Sequence, residues 1–231
     1  MIDTVRTRHC ASMLMKTVVL ALGILGQWAS IRQHHFMSGN HFLYYTNLTN
    51  VLIILLMAVL MGFEWKAHRA EVPVLMPAWL QQLRFILTSA ILLTLVGFSL
   101  LLIPLVDRDY LLSPSNLLVH NAVPLLACLD YVLFSQRDGR PRLWLSLLGP
   151  FAYGLFALAL ALSGHRFHGS VAPYFFLDYE KQGWFTLGAG KLGVIYWMLL
   201  MAALQLALAK VLSGLRAMVI NKQKINKNNA A

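Results

Sequence analysis

The chain has 231 residues, of which 58% are apolar and only 12% are charged, and its formal net charge is +10. A soluble domain typically carries about 25% charged residues, so this composition predicts an integral membrane protein. The apolar runs are continuous rather than alternating, which argues against a membrane β-barrel. The basic residues lie at the ends of these runs, and that placement argues against a nucleic-acid-binding protein.

Six apolar stretches are long enough to cross a bilayer, since a helical span needs about 20 mostly apolar residues. They are Ala11–Ile31, Phe42–Phe63, Phe85–Val106, Asn116–Ser135, Leu143–Ser163 and Leu192–Leu212. The predicted fold class is therefore all-α, a polytopic bundle of six transmembrane helices that forms one domain over residues 1–220. Residues 221–231 are predicted to be a polar, basic tail. The first stretch is longer than the apolar part of a signal peptide, so we expect it to be retained.

The orientation of the bundle follows from the positions of Lys and Arg, which are enriched on the cytoplasmic side of membrane proteins. Fourteen of the nineteen Lys and Arg residues fall on the side of the N-terminus. Both termini are therefore predicted to be cytoplasmic, and the long loop Gly164–Lys191 is predicted to lie outside. Membrane lipids are the expected partners, with the basic tail near anionic headgroups.

Polar residues on the second and fourth stretches enter the membrane from the same predicted outer side. Thr46, Thr49 and Asn50 recur at i, i+3 and i+4, so they share one face of a helix. Such a face serves either interhelical hydrogen bonding or a functional site. Thr46 and His120 each lie about four residues into their helices, which predicts a shared level at roughly 6 Å depth.

His120 has three interpretations, as a structural histidine, a metal ligand or a general base. The other histidines on this side are His34, His35, His41, His165 and His168. They show no cysteine partner and no HExxH-type helix, so no metal is expected. Burial and the positive end of the helix dipole both favour a neutral imidazole, which can accept a proton. A neighbouring threonine hydroxyl would then be the nucleophile.

Asp130 lies ten residues beyond His120, about 15 Å deeper in the bundle. An isolated carboxylate at that depth is costly, so near Arg84 or Arg137 we expect either a buried ion pair or a contact made by a side chain that snorkels to the interface.

The segment 172–178 of the long loop is too apolar for a freely solvated loop, and we expect it to fold back over the mouth of the bundle. Asp178 at its end has two interpretations. It either orients His120 or binds a polar headgroup, or else it caps a turn or pairs with Lys181 or Arg166.

Three separated pieces of the chain resemble one family. They are Tyr45-Thr46-Asn47-Leu48, His120-Asn121-Ala122-Val123-Pro124-Leu125 and Tyr174-Phe175-Phe176-Leu177-Asp178. Their order and placement are similar to the androgen-induced protein and androgen-dependent TFPI-regulating protein family of integral membrane lipid hydrolases, and to its bacterial six-span relatives. The loop departs from the animal members, which have Tyr-Pro-Phe-Leu-Glu in place of Tyr-Phe-Phe-Leu-Asp.

This resemblance implies hydrolysis of fatty acid esters of hydroxy fatty acids, without a cofactor. It implies that Thr46 is the nucleophile and His120 the general base, with Thr49 as a competing nucleophile. Substrate-binding or supporting roles are expected for the neighbouring polar residues Asn47, Thr49, Asn50, Asn121, Tyr174 and Asp178. A bacterial-type relative implies a multi-pass protein of the bacterial cytoplasmic membrane.

Two functional classes follow from these residues, beside a third interpretation in which the chain is a purely structural membrane protein. In the first, the chain is an intramembrane lipid-ester hydrolase with a Thr/His site in the outer leaflet. In the second, it is a non-enzymatic lipid-binding or small-solute transport protein, in which the same polar groups bind a headgroup or relay a proton. Transporters often contain internal repeats, and none is evident in this sequence.

Overall fold

The computed structural model describes residues 2–33, 40–72, 74–135, 141–167, 169–188 and 190–228 of the chain. Six helical spans in these residues are long and apolar enough to cross a membrane. In chain order, the first to sixth spans are Thr7–Gln33, Tyr45–Arg69, Ala78–Leu105, Pro114–Phe134, Leu143–Leu162 and Val194–Ile225. The predicted all-α class and the six spans are confirmed. This architecture is that of a multi-pass membrane protein. The cytoplasmic placement of both termini stays a prediction.

Some of the spans are composites of several helical segments. The α-helices are α1 (Ile2–Gln33), α2 (Tyr45–Arg69), α3 (Ala78–Gly97), α4 (Arg108–Leu111), α5 (Pro114–Asn116), α6 (Val123–Phe134), α7 (Leu148–Leu162), α8 (Tyr179–Gln182) and α9 (Val194–Asn228). A first π segment, Phe98–Leu102, follows α3, and a second π segment, Leu117–Ala122, precedes α6. Short 3-10 turns lie at His41–Leu43, Ile103–Leu105, Leu143–Leu147 and Phe175–Leu177. Strands β1 (Leu187–Gly188) and β2 (Lys191–Leu192) form an antiparallel hairpin before α9.

The ends of the spans differ from the ends of the apolar runs. The second span begins at Tyr45 rather than Phe42, because the residues before it form a separate 3-10 turn. The third begins at Ala78 rather than Phe85, and the added residues include the buried Arg84. Hydropathy placed the start of the third span too late because a charge that is neutralised by a partner can lie inside a span. The last helix continues past Leu212 to Asn228, so the polar segment from residue 221 is helical up to that point.

The two ends of the chain meet at one end of the bundle. Arg8 Nη1 donates a hydrogen bond to Gln223 Oε1 at 3.1 Å, which joins the start of α1 to the end of α9. We call this the terminal end of the bundle. The opposite end, where the segment between α7 and α9 lies, is the loop end.

The first four spans pack around one apolar core. Val19, Ile53, Met57, Ile91 and Val123 are fully buried members of it and come from all four spans. A separate cluster joins α3, α6 and α9 through the buried residues Phe85, Tyr131, Ala209 and Leu212. Hydrophobic burial does not drive helices together within lipid, so close packing and polar contacts must hold these spans in place.

Near the terminal end, four ionised side chains from four different spans share one buried site. Lys16 Nζ lies 2.7 Å from Asp130 Oδ1 and 2.9 Å from Glu64 Oε1. Arg84 Nη2 lies 2.6 Å from Asp130 Oδ2 and also donates to the Asp130 carbonyl oxygen at 3.0 Å. Ser12 completes the site, because its hydroxyl accepts from Lys16 at 2.7 Å and donates to Glu64 at 2.8 Å. We call these five residues the charge network.

The predicted ion pair between Asp130 and Arg84 is confirmed, while Arg137 lies outside the described residues. Lys16, a second partner of Asp130, and Glu64, which pairs with Lys16, were not predicted from the sequence. Both lie toward the terminal ends of their spans, where a charged residue is ordinarily assumed to reach water. In the fold their side chains turn inward, and both are almost completely buried. Two cations and two anions therefore balance inside the bundle.

Replacing Asp130 by Asn is expected to destabilise the fold strongly, because Lys16 and Arg84 then lose their shared carboxylate inside the bundle. Removing one partner of a buried ion pair typically costs about 3–5 kcal/mol. Thermal unfolding of the purified protein in detergent measures the effect. Glu180→Gln is the matched control, because Glu180 forms an exposed ion pair with Arg166 whose contribution is about 0–1 kcal/mol. Equal unfolding temperatures for the two variants would contradict the structural role of the network.

Candidate functional site

The start of α2 presents the predicted polar face to the interior of the bundle. Thr46, Thr49 and Asn50 are all buried, as their spacing predicted. The Asn50 amide donates to the carbonyl oxygen of Thr46 at 2.8 Å and to that of Val119 at 2.9 Å. Val119 belongs to the second π segment and directly precedes His120. Asn50 therefore ties the turn that carries Thr46 to the segment that carries His120.

The two candidate nucleophiles differ in their surroundings. The Thr49 hydroxyl lies 3.0 Å from the hydroxyl of Thr94 and also contacts two carbonyl oxygens of its own helix, those of Tyr45 at 2.9 Å and Thr46 at 3.0 Å. These contacts satisfy it within the protein. Thr46 instead lines the large cavity described next, whereas Thr49 is not among the lining residues. The geometry therefore favours Thr46 as the hydroxyl that can meet a ligand.

A cavity of about 340 Å³ lies between the third, fifth and sixth spans at the loop end. The described lining residues with a polar side chain are Thr46, Thr94, Tyr45, Tyr153 and Tyr174. Among the described residues that line it, none carries a carboxylate, an amine or a guanidinium, and most are aliphatic or phenylalanine. An apolar pocket with a few polar groups at one place is the usual form of a small-molecule site.

His120 lies beside this cavity rather than on its wall. Its ring stacks on Phe98, with ring centroids 3.9 Å apart and an interplanar angle of 25°. Phe98 lines the cavity, and His120 is not among the lining residues. Phe98 opens the first π segment and His120 belongs to the second, so the stack joins the two π segments. Such segments are rare in helices and occur frequently at functional sites.

The close approach of α1 supports the second π segment from the other side. A Cβ atom added to Gly26 would lie 3.0 Å from the Leu118 Cβ and 3.1 Å from Val119 Cγ1. These distances are shorter than ordinary van der Waals contacts, so a larger residue at position 26 would push the helices apart. The absence of a side chain at Gly26 therefore lets α1 hold His120's segment close to α2.

The loop segment 172–178 folds back onto the bundle, as predicted. Ala172 and Leu177 are buried, and Tyr174 and Phe176 line the cavity. The rings of Tyr174 and Phe176 stack in parallel with centroids 5.3 Å apart, and the edge of Tyr174 meets Tyr153 at 6.2 Å. The segment therefore forms the roof of the cavity at the loop end.

Tyr174 is the residue of this roof next to Thr46, and both line the cavity. Burial raises the pKa of the Tyr174 phenol to about 12, and the polar groups of Thr46 beside it limit that rise. The N-terminus of α2 has no side-chain cap of its own, because Tyr44 occupies the capping position without such a bond.

Asp178 has a structural role in the fold. Its carboxylate accepts a hydrogen bond from the backbone N–H of Lys181 at 3.1 Å, which caps α8, and it lies 3.3 Å from Lys181 Nζ. Of the two interpretations in the sequence analysis, capping and pairing with Lys181 is the one found. Arg166 pairs with Glu180 instead. Asp178 therefore secures the end of the roof segment.

The remaining predicted polar residues lie away from the cavity. The Asn47 amide donates to the carbonyl oxygen of His41 at 2.9 Å and its oxygen accepts from Gln27 at 3.4 Å. Asn121 donates to the carbonyl oxygen of Asn116 at 3.5 Å. Neither is among the described residues that line the cavity. Their contacts hold neighbouring segments at the loop end together.

The histidines of the loop end were considered as metal ligands. No group of three or more potential ligands from His, Cys, Asp and Glu comes together in the part of the chain that the structure describes. His165 pairs with Asn40 at 2.9 Å and His41 with Gln27 at 3.2 Å. His34, His35 and His168 lie outside the described residues.

Several residues at the site were not found by sequence reasoning. Phe98, Thr94 and Tyr153 border the cavity, and they come from two different spans. Tyr45, which the motif around Thr46 includes without a role of its own, also borders it. Thr94 carried a usable signal, as a polar residue inside a long apolar run. Phe98 and Tyr153 carried none, because a pattern of local spacing does not distinguish a cavity wall from a core.

Comparison with known proteins gave no relative: no family model, no curated protein and no solved structure matches the chain. The functional argument therefore depends on the geometry of the site.

Because its pKa is raised, the Tyr174 phenol should ionise at a higher pH than an exposed tyrosine. Its pKa in the fold lies above the ordinary value of about 10, so the protonated phenol stabilises the fold below about pH 10, and this stabilisation is lost as the pH rises toward about 12. We expect the folded wild type and Tyr174→Phe to show equal tyrosinate absorbance near pH 10. In denaturant at that pH, where an unperturbed tyrosine is about half ionised, the same pair should differ by about half a tyrosinate. An equal difference in both states would contradict the burial of this hydroxyl.

Proposed function

We propose that the chain is an intramembrane hydrolase of lipid esters, with Thr46 as nucleophile and His120 as general base. The observation that carries this proposal is the buried Thr46 hydroxyl at the polar end of an apolar cavity. A long acyl chain suits the apolar part, and the ester group would lie against Thr46. The orientation expected from the Lys and Arg residues would put this site in the outer leaflet.

The proposed reaction follows the general scheme of nucleophilic catalysis. Thr46 Oγ attacks the ester carbonyl while its proton passes to His120, and the protonated imidazole then gives that proton to the departing alcohol. Water, activated in turn by His120, attacks the acyl-threonine, so that the fatty acid leaves and the threonine hydroxyl is restored. The products are one alcohol and one fatty acid for each ester and water consumed.

The position of His120 sets a condition on this scheme. A general base must come within hydrogen-bond reach of the proton it removes, either directly or through one water. Phe98 stacks on the imidazole and borders the cavity, so its ring must turn aside, or a water must pass beside it. Asn50 supports the proposal, because its amide donates to the carbonyl oxygens of both Thr46 and Val119. Val119 directly precedes His120, so one side chain holds the two segments together.

The resemblance in the sequence analysis adds the substrate class to this proposal. Under it, the ester would be one of a hydroxy fatty acid, a molecule with a long chain on each side of the ester group and a free carboxylate at one end. The described lining residues include no ionised side chain, so the cavity suits the uncharged ester group and the carboxylate would have to lie outside it.

Labelling by an alkyl fluorophosphonate, which forms a stable bond with activated hydroxyls, tests the nucleophile. We expect the wild type to be labelled on Thr46, Thr46→Ala to lose the label and Thr46→Ser to keep it. Thr49→Ala is the matched control, since its hydroxyl lies one turn along the same helix and is satisfied within the protein. Labelling that persists in Thr46→Ala and disappears in Thr49→Ala would move the nucleophile to Thr49.

The general base is tested by the rate of the same labelling reaction. Removing a general base typically costs about 10²–10⁴-fold in rate, so we expect His120→Ala to be slowed by at least about 10²-fold. Phe98→Leu, which frees the imidazole from its stack, should retain labelling. Unfolding temperatures of all variants separate a lost base from a lost fold. An unchanged rate in a stable His120→Ala protein would leave His120 without a catalytic role.

A second function is favoured by one observation, the stacked position of His120 outside the lining of the cavity. In this alternative the chain binds a lipid without cleaving it, and Thr46 hydrogen-bonds its polar group. It predicts stoichiometric lipid in the purified wild type, less lipid in Thr46→Val and no fluorophosphonate label in either. The hydrolase predicts a labelled wild type, so one experiment separates the two functions.

A further inference from the structure

The wall of the cavity includes side chains that also face outward from the bundle. Phe151 on α7 is 57% exposed and Leu199 on α9 is 62% exposed, yet both line the cavity. In a membrane protein an exposed apolar side chain at this position faces lipid. The cavity therefore extends to the lipid-facing flank of the fifth and sixth spans.

The loop end of the same cavity is covered. Tyr174, Phe176 and Leu177 of the roof line it from above, and Leu177 is buried. The Tyr153 hydroxyl donates to the carbonyl oxygen of Leu43 at 2.9 Å, which closes the gap between α7 and the turn before α2. A molecule that comes from water must displace this roof, whereas a lipid chain in the bilayer meets apolar side chains.

Two glycines leave space on the cavity wall. Gly154 on α7 is buried, and a Cβ atom added there would meet Met198 Cε at 3.5 Å, an ordinary contact. A Cβ atom added to Gly97, at the end of α3, would find no atom within 4 Å. Both glycines line the cavity, as does Met198. A side chain at either position would therefore occupy cavity space without a backbone clash.

We propose that this cavity is a laterally open slot that takes one hydrocarbon chain of a membrane lipid directly from the bilayer, with Gly154 and Gly97 determining the space available to it. The chain enters on the flank of Phe151 and Leu199, and the polar group of the lipid comes to rest beside Thr46 and Tyr174. This inference deepens the proposed function and rests on it only for the chemical step. Its substrate class is a lipid that resides in the membrane rather than a dissolved ester.

A photoactivatable fatty acid with a diazirine in its chain tests the slot. The full-length protein is placed in phospholipid nanodiscs with this fatty acid, illuminated, and its labelled residues are identified by mass spectrometry. Leu93 and Thr94 are the informative positions, because they line the cavity but are buried from the lipid-facing surface. We expect labelling of these two residues in the wild type, as well as general labelling of lipid-exposed residues.

Gly154→Leu is expected to lower the labelling of Leu93 and Thr94 by at least about 10-fold, since even one methylene in a filled apolar pocket is worth about 10-fold or more. Gly154→Ala should give a smaller decrease. Gly62→Leu is the matched control, because Gly62 is an exposed helical glycine of α2 with no atom within 4 Å of an added Cβ and lies outside the cavity lining. Gly97→Leu provides the same test from the opposite wall if Gly154→Leu does not fold.

Two outcomes would overturn the slot. The first is a wild type without label on Leu93 and Thr94. The second is equal labelling of these residues in the Gly62→Leu control and in a folded Gly154→Leu or Gly97→Leu variant. Fluorophosphonate labelling of the same samples reports separately on the hydrolase. Chain labelling without a fluorophosphonate adduct would retain the slot and reject the hydrolase. A Thr46 adduct without chain labelling would retain the hydrolase and reject the slot.

Discussion

Lys16, Glu64, Arg84 and Asp130 each come from a different span, and their charges are satisfied only when the four spans stand at one relative height. Apolar contacts alone would allow a helix to slide in lipid, because one apolar side chain resembles another. An unpaired charge in the interior does not allow this, since it costs several kcal/mol. The charge network therefore restricts the register of the first four spans, and the rest of the bundle is built on that register.

The register of the spans also determines which residues lie at the same level at the loop end. Thr94 lies ten residues along the third span from Arg84, and His120 lies ten residues from Asp130 along the fourth, which runs in the opposite direction. Ten helical residues rise about 15 Å, so an ion pair at one end brings both residues to the same level. There Phe98 stacks on His120, the Thr49 hydroxyl contacts that of Thr94, and Asn50 joins the turn of Thr46 to the segment of His120. All ionised groups of the network thus lie at the terminal end, while the cavity at the loop end is bordered by neutral hydroxyls and apolar side chains.

The roof explains how a polar hydroxyl is kept available inside an apolar bundle. A threonine in a helix ordinarily turns to its own backbone, as Thr49 does toward Tyr45. Thr46 stands in the first turn of α2, where backbone N–H groups lack helical partners, and Tyr174 of the folded-back loop lies with it on the cavity wall. Under the proposed function, the polar group of the substrate would come to rest beside these two residues, and the laterally open flank would supply the chain.

Much of this fold was determined by the sequence alone. Six apolar runs determined six helical spans, and helical periodicity placed Thr46, Thr49 and Asn50 on one buried face, because hydropathy and spacing are local properties. The cost of a lone buried carboxylate also predicted a charged partner for Asp130, with Arg84 and Arg137 as the candidates. Only the tertiary structure decided that Lys16 and Glu64 join that pair, that Thr46 rather than Thr49 borders the cavity, and that Phe98 covers His120. Each of these depends on which faces of distant helices meet, and spacing within one helix carries no information about its neighbours.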